Sequence, residues 1–82
     1  MREDLAFMTK AEDLEFMSEK LKTLRFFKKK TQREVAEAIG ITVGAYNAYE
    51  VGIRKPADET KKAISQYFGV PVQDIFFPYK QY

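Results

Sequence analysis

The chain has 82 residues, 45% of them apolar and 32% charged, with a formal net charge of +2. That length supports one small core and not two, and the composition is that of a folded chain rather than a disordered or collagen-like one. With no cysteine and no histidine, a disulfide framework and the usual zinc site are excluded. The commonest general base and the best thiol nucleophile are missing too, so neither an enzyme nor a cofactor is expected.

No apolar run approaches the roughly 18 residues that cross a bilayer. The opening MREDLAFMTKAED is too acidic and too interrupted for a secretory signal. The expectation is a cytoplasmic chain without membrane or small-molecule partners. Its charge is unevenly spread: residues 1–19 hold two basic against six acidic side chains, net −4, and residues 20–82 hold twelve against six, net +6. A basic globular part thus follows an acidic arm, a pattern that suits either solvation or an anionic partner.

In chain order, Thr9-Lys-Ala-Glu12 has the form of a capping box and predicts a helix from near Lys10 to about Lys29. Leu14, Met17, Leu21 and Leu24 recur along it at helical spacing and make an apolar face. Thr31-Gln-Arg-Glu34 is a second capping box, opening a short helix with Val35, Ala36 and Ile39 inward and Gly40 at its end. Thr42 then caps a third helix, Val43 to about Val51, which buries Tyr46 and Tyr49 and stops at Gly52. After the polar loop Ile53-Arg-Lys-Pro-Ala57, Asp58 is the cap expected for a fourth helix with Ala63, Ile64, Tyr67 and Phe68 inward and Gly69 at its end. Pro71 suits the first turn of a short fifth helix carrying Val72, Ile75 and Phe76, and the last stretch, Phe77 to Tyr82, reads as extended. Phe26, Phe27, Phe68 and Phe76 are expected in the core rather than as a stacking platform. The fold class is all-α, with five helices.

The residues Thr31-Gln-Arg-Glu-Val-Ala-Glu-Ala-Ile-Gly-Ile-Thr42, followed by Tyr49-Glu-Val-Gly52, Arg54-Lys-Pro56 and Phe68-Gly-Val-Pro-Val-Gln-Asp-Ile-Phe76, resemble the phage-repressor and Cro-like helix-turn-helix family. Counted from Gln32, Ala36 stands at the fifth position and Gly40 at the ninth. Val35, Ile39, Ile41, Tyr46 and Tyr49 fill the apolar positions between and beyond them. Helices that cross steeply need a small side chain at their contact, and so short a turn favours a residue that accepts positive φ. The resemblance implies a five-helix, lambda-repressor-like DNA-binding domain with an N-terminally extended first helix. It would comprise an acidic arm at 1–17, the helix-turn-helix domain at 18–76 and an aromatic tail at 77–82.

What the resemblance further implies is a transcriptional regulator that binds double-stranded DNA, with the third helix in the major groove and the second across the phosphate backbone. Val43, Gly44, Asn47 and Ala48 would then face the bases, with Ala45 nearby. Family members often carry Gln, Arg, Ser or Thr at these positions, and this chain departs from that pattern, leaving thymine methyls to Val43 and Ala48 and hydrogen bonding to Asn47. Gln32, Thr42, Arg54 and Lys55 fall at expected phosphate contacts, with Lys28, Lys29, Lys30 and Arg33 adding to the same field. A homodimer on a palindromic operator is implied, with its interface expected at Ile75, Phe77, Tyr79 and Tyr82. The arm is expected either to extend the first helix over the core, to bind a protein partner or the other subunit, or to fold back on the basic surface. The alternative function is a protein-interaction module on the same fold, such as an antitoxin or anti-repressor, that has lost base readout.

Overall fold

The computed structural model of the chain describes the backbone of residues 2–77 and the side chains of residues 13–77. Five helices and no strand occur among the described residues: α1 (Arg2–Lys28), α2 (Gln32–Ile39), α3 (Val43–Val51), α4 (Asp58–Phe68) and α5 (Val72–Phe76). The all-α expectation of five helices holds, and α2 to α5 lie where they were expected.

The first boundary differs. A start near Lys10 was expected, yet α1 begins at Arg2 and Thr9 lies inside it. Residues 1–39 contain neither glycine nor proline, so nothing in the backbone stops the helix, and the Ser/Thr-x-x-Glu pattern is equally at home within one. The arm and the first helix of the domain are therefore one continuous helix. It ends at Lys29, which takes the left-handed conformation at φ 59° and closes the turn by donating its N–H to the Phe26 carbonyl at 3.1 Å.

The α1 stripe packs as its spacing predicts. Met17 and Leu21 are fully buried, with Leu14 and Leu24 half-buried against them. Val35 and Ala36 of α2, Tyr46 and Tyr49 of α3, Ile64 of α4, and Ile75 and Phe76 of α5 complete the core. Each full burial of such an apolar side chain contributes about 1.5–3 kcal/mol, so this shared centre fixes how α2 and α3 stand relative to α1. Tyr67 and Phe68 pack edge to face at its rim.

Phe26 and Phe27 contradict their expected burial, each being 74% exposed. The neighbouring positions explain this: Leu24 takes the core, Arg25 turns to Glu50, and Lys28 lies 4.9 Å from the Tyr67 ring. Positions 26 and 27 then fall on the outer side of the helix. Asp58 likewise is not the cap of α4 but its first residue. Ala57 is the cap and supplies no side-chain bond, while Asp58 and Glu59 stand in the first turn, where the helix dipole favours acids. Pro71 precedes α5 rather than lying in its first turn.

Candidate nucleic-acid interface

The turn between α2 and α3 is built from local bonds. The Glu34 N–H donates to Thr31 Oγ1 at 3.0 Å and the Thr31 N–H to Glu34 Oε1 at 2.9 Å, closing the capping box. That backbone bond holds the Glu34 carboxyl below its ordinary range, with a smaller contribution from Lys30. Gly40 ends α2 at φ 91° and returns its N–H to the Ala36 carbonyl, a geometry that costs a residue with a Cβ roughly 1–2 kcal/mol. Two residues later Thr42 Oγ1 accepts from the Ala45 N–H at 3.0 Å and starts α3.

Three contacts fix the C-terminal end of α3 on α1. Gly52 lies so close that a Cβ there would stand 3.3 Å from the Leu14 carbonyl oxygen, and its φ is 82°. The Ser18 hydroxyl donates to the Glu50 carbonyl. The third contact involves a group that sequence reading passed over. Glu50 is only 2% exposed, and Arg25 meets it in a bidentate pair, Nε to Oε2 at 2.6 Å and Nη2 to Oε1 at 3.0 Å. The Gln32 amide Nε2 donates to the same Oε1 at 2.9 Å, and Arg25 Nη1 reaches the Lys30 carbonyl at 3.0 Å.

Electrostatics in this pocket follow from the pairing. Burial disfavours the Glu50 anion, yet the bonds from Arg25 and Gln32 outweigh it and hold the carboxyl below its ordinary range. The same bond raises Arg25 against a smaller opposing effect of burial. Tyr46 lies buried beside them, its hydroxyl without a hydrogen bond of ordinary geometry; burial first, and then the carboxylate, hold its proton on. One carboxylate thus ties α3 to the last turn of α1 and the first residue of α2. The arrangement carries no catalytic logic, since its charges are neutralised in place.

The outward side of α3 consists of Gly44, Asn47 and Val51, all exposed. Of the four positions expected to face bases, Gly44 and Asn47 do lie at the surface. Val43 is half-buried against the core, and Ala48 is buried at 7% exposure, which corrects its expected placement. With Tyr46 and Tyr49 turned into the core, position 51 comes outward; position 48 stands as far round from the tyrosines as Asn47 does, so its burial does not follow from the rotation of α3. Val51, 52% exposed, and Ile53, 71% exposed, were missed; the spacing of Gly44, Asn47 and Val51 along a helix was the available signal. A Cβ on Gly44 would meet nothing within 4 Å, so that glycine is not demanded by packing.

Among the expected phosphate contacts, Thr42, Arg54 and Lys55 are exposed, and Lys55 Nζ lies 3.4 Å from Asp13 Oδ2. Gln32 is half-buried and its amide is occupied by Glu50, which leaves its backbone N–H at the start of α2 as the group directed outward. Lys28, Lys29, Lys30 and Arg33 are all exposed, and the Lys28 ammonium lies over the Tyr67 ring. Of the expected dimer contacts, Ile75 is corrected: it is fully buried in the core of its own chain and has no surface to offer a second copy. Phe77 is 41% exposed, and Tyr79 and Tyr82 lie outside the described residues. No group of acidic, histidine or cysteine side chains that would hold a metal ion occurs among the described residues, and no described helix is long and apolar enough to cross a membrane.

Comparison with known proteins places this geometry among relatives. A family model described as helix-turn-helix matches residues 21–75, from the last turns of α1 into α5. The chain is 36% identical over 58 residues to the cryptic phage CTXphi transcriptional repressor RstR of Vibrio cholerae, covering 71% of this chain and 52% of that protein. It is 47% identical over 53 residues to an uncharacterised HTH-type transcriptional regulator, YqaE, of Bacillus subtilis (strain 168), covering 65% of this chain and 46% of that one. The chain thus spans about half the length of these curated relatives. No solved structure matches it significantly.

Proposed function

The chain belongs to the helix-turn-helix family, and from that premise we propose that it is a DNA-binding transcriptional regulator of the phage-repressor kind, reading a palindromic operator as a pair of copies. The observation that carries the reading is the family match across α2 and α3, two helices whose starts are both closed by threonine caps. In this reading α3 enters the major groove and presents Asn47 as its one hydrogen-bonding side chain, able to meet both donor and acceptor of an adenine. Val51 and Val43 supply apolar contact to thymine methyls. Gly44, with open space around it, lets the helix backbone come close to the bases. Ala48 plays a smaller part than the resemblance implies, because little of it reaches the surface.

Phosphates are held by the N–H groups at the start of α2, by Thr42 at the start of α3, and by Arg54 and Lys55 in the loop that follows. The Arg25–Glu50–Gln32 cluster acts as a positioning device, fixing α3 against the other two helices before DNA arrives. Measured by fluorescence anisotropy over a range of salt concentrations, affinity for operator-containing duplex falls by about 0.9 log unit per log unit of salt for each neutralised phosphate. Substituting Arg54 and Lys55 together by alanine flattens the slope by about 1.8, two phosphates' worth. An unaltered slope contradicts the phosphate assignment.

A second reading draws on Val51 and Ile53. Two exposed apolar side chains beside an α3 nearly empty of hydrogen-bonding groups suit a protein surface, as in an antitoxin or anti-repressor. Salt-insensitive or absent DNA binding supports that reading over the first.

A further inference from the structure

One of the cations proposed to meet phosphates already faces an anion. Arg54 is exposed and, like Lys29, Lys30 and Arg33, stands in no ion pair with another described residue. Lys55 differs from its neighbour, because its ammonium lies 3.4 Å from Asp13 Oδ2. Asp13 is half-buried on α1, eight positions before the span that the family model matches begins at residue 21. It also lies well beyond the first turn of α1, where a carboxylate gains nothing from the helix dipole.

Packing, and not the ion pair, brings the two residues together. A Cβ on Gly52 would stand 3.3 Å from the Leu14 carbonyl oxygen, and the Ser18 hydroxyl donates to the Glu50 carbonyl. Pro56 is buried at the far end of the loop. The loop is thus held along residues 13–18 of α1, with Lys55 within reach of Asp13. An exposed pair of this kind adds little to the stability of a fold, so its consequence lies in what else Lys55 can bind.

We infer that Asp13 is a built-in competitor for DNA: in the free protein it holds Lys55, a backbone phosphate displaces it, and this carboxylate thereby sets how tightly the chain holds duplex DNA. The inference rests on the phosphate role proposed for Lys55. A lysine suits the exchange, because a compact charge with three rotatable donors on a flexible stem swings from one anion to another. Once it has swung, Asp13 is left unpaired near a phosphate of like charge, and both effects oppose binding. Phosphate contacts carry no sequence information, so the opposition falls equally on every duplex.

The experiment is fluorescence anisotropy with a mixed-sequence duplex at low salt, which requires no knowledge of the operator. Wild type, Asp13→Asn, Lys55→Ala and the double variant form a cycle, and circular dichroism verifies that each is folded. Asp13→Asn raises affinity about two- to fivefold, the worth of an exposed ion pair. In the Lys55→Ala background the same substitution changes little. Glu19→Gln, at an exposed position of the same helix, removes one negative charge without releasing Lys55 and has the smaller effect. A rise that persists in full without Lys55, or that Glu19→Gln matches, overturns the inference, because the cause is then net charge. Affinity unchanged or lowered by Asp13→Asn, while Lys55→Ala still weakens binding, overturns it and leaves the phosphate role of Lys55 standing. Equal affinity of wild type and Lys55→Ala removes that role, and the inference with it.

Discussion

Replacing Arg25 by methionine removes the guanidinium from Glu50 while keeping most of the side-chain volume. The carboxylate is then left in a pocket where it is 2% exposed, with only the Gln32 amide at 2.9 Å to stabilise its charge. Breaking a buried ion pair from one side costs about 3–5 kcal/mol. Because the Arg25 side chain is 26% exposed, water reaches part of the gap and the lower end applies, about 3 kcal/mol. A domain of this length is stable by roughly 4–12 kcal/mol, so the loss is a large share, and it lowers Tm by about 12–24 °C. Urea denaturation followed by helical circular dichroism measures it.

The pH dependence separates this cause from simple loss of packing. In the native protein Glu50 is held below its ordinary value of 4.5. It therefore contributes stability above that value, and the contribution is lost as pH falls through its depressed folded value. In Arg25→Met, burial without the guanidinium raises Glu50 above its unfolded value, so the variant is relieved as pH falls and the carboxyl takes up a proton. The difference between the two proteins therefore narrows from pH 7 to pH 4. The double variant Arg25→Met with Glu50→Leu recovers most of the loss, because no charge remains to be buried. A single-variant loss under about 1 kcal/mol, or a difference that does not change with pH, refutes the reasoning.

Three other outcomes follow from the same contacts. Gly52→Ala lowers stability by at least about 1–2 kcal/mol in thermal denaturation, since the new Cβ meets the Leu14 carbonyl at a residue with φ 82°. Gly44→Ala has the opposite sign, raising stability by about 1 kcal/mol because the space is open. In a binding titration it weakens DNA affinity if α3 lies close to the bases, and unchanged affinity removes Gly44 from the reading face. Thr31→Ala costs about 1 kcal/mol by loss of the cap at α2, and Thr31→Ser retains it.

Local signals were the legible part of this fold. The ends of α2 and α3 are written in residues three or four apart, Thr31 with Glu34 and Thr42 with Ala45, together with the glycines at 40 and 52. The same kind of signal misled at Thr9, because a capping pattern marks a helix start only where something ends the helix before it, and nothing does. Phe26 and Phe27 were misplaced because residue type speaks of burial but not of face; the face was decided by Leu24, Arg25 and Lys28 finding partners elsewhere. Glu50 stood in a recognised motif, but its partners lie 25 and 18 residues away on other helices, a convergence that no local pattern displays. At α3 the core tyrosines fixed the rotation of the helix and turned Val51 outward, whereas the burial of Ala48 is not explained by that rotation. Ile75 was offered to a dimer because an apolar residue near a terminus suits an interface, and it fills the core of its own chain instead.

In the proposed function α3 reads DNA bases with Asn47 and an apolar surround. This reading is tested most directly by selecting a randomised duplex library at physiological salt with the wild-type protein and with Asn47→Ala. The expected result is enrichment of a palindrome with A·T pairs in half-sites whose centres lie about one helical turn apart. Asn47→Ala loses preference at one position in each half-site by about 1–3 kcal/mol. Recovery of unselected sequence by the wild type, or the same palindrome at undiminished preference with Asn47→Ala, contradicts it.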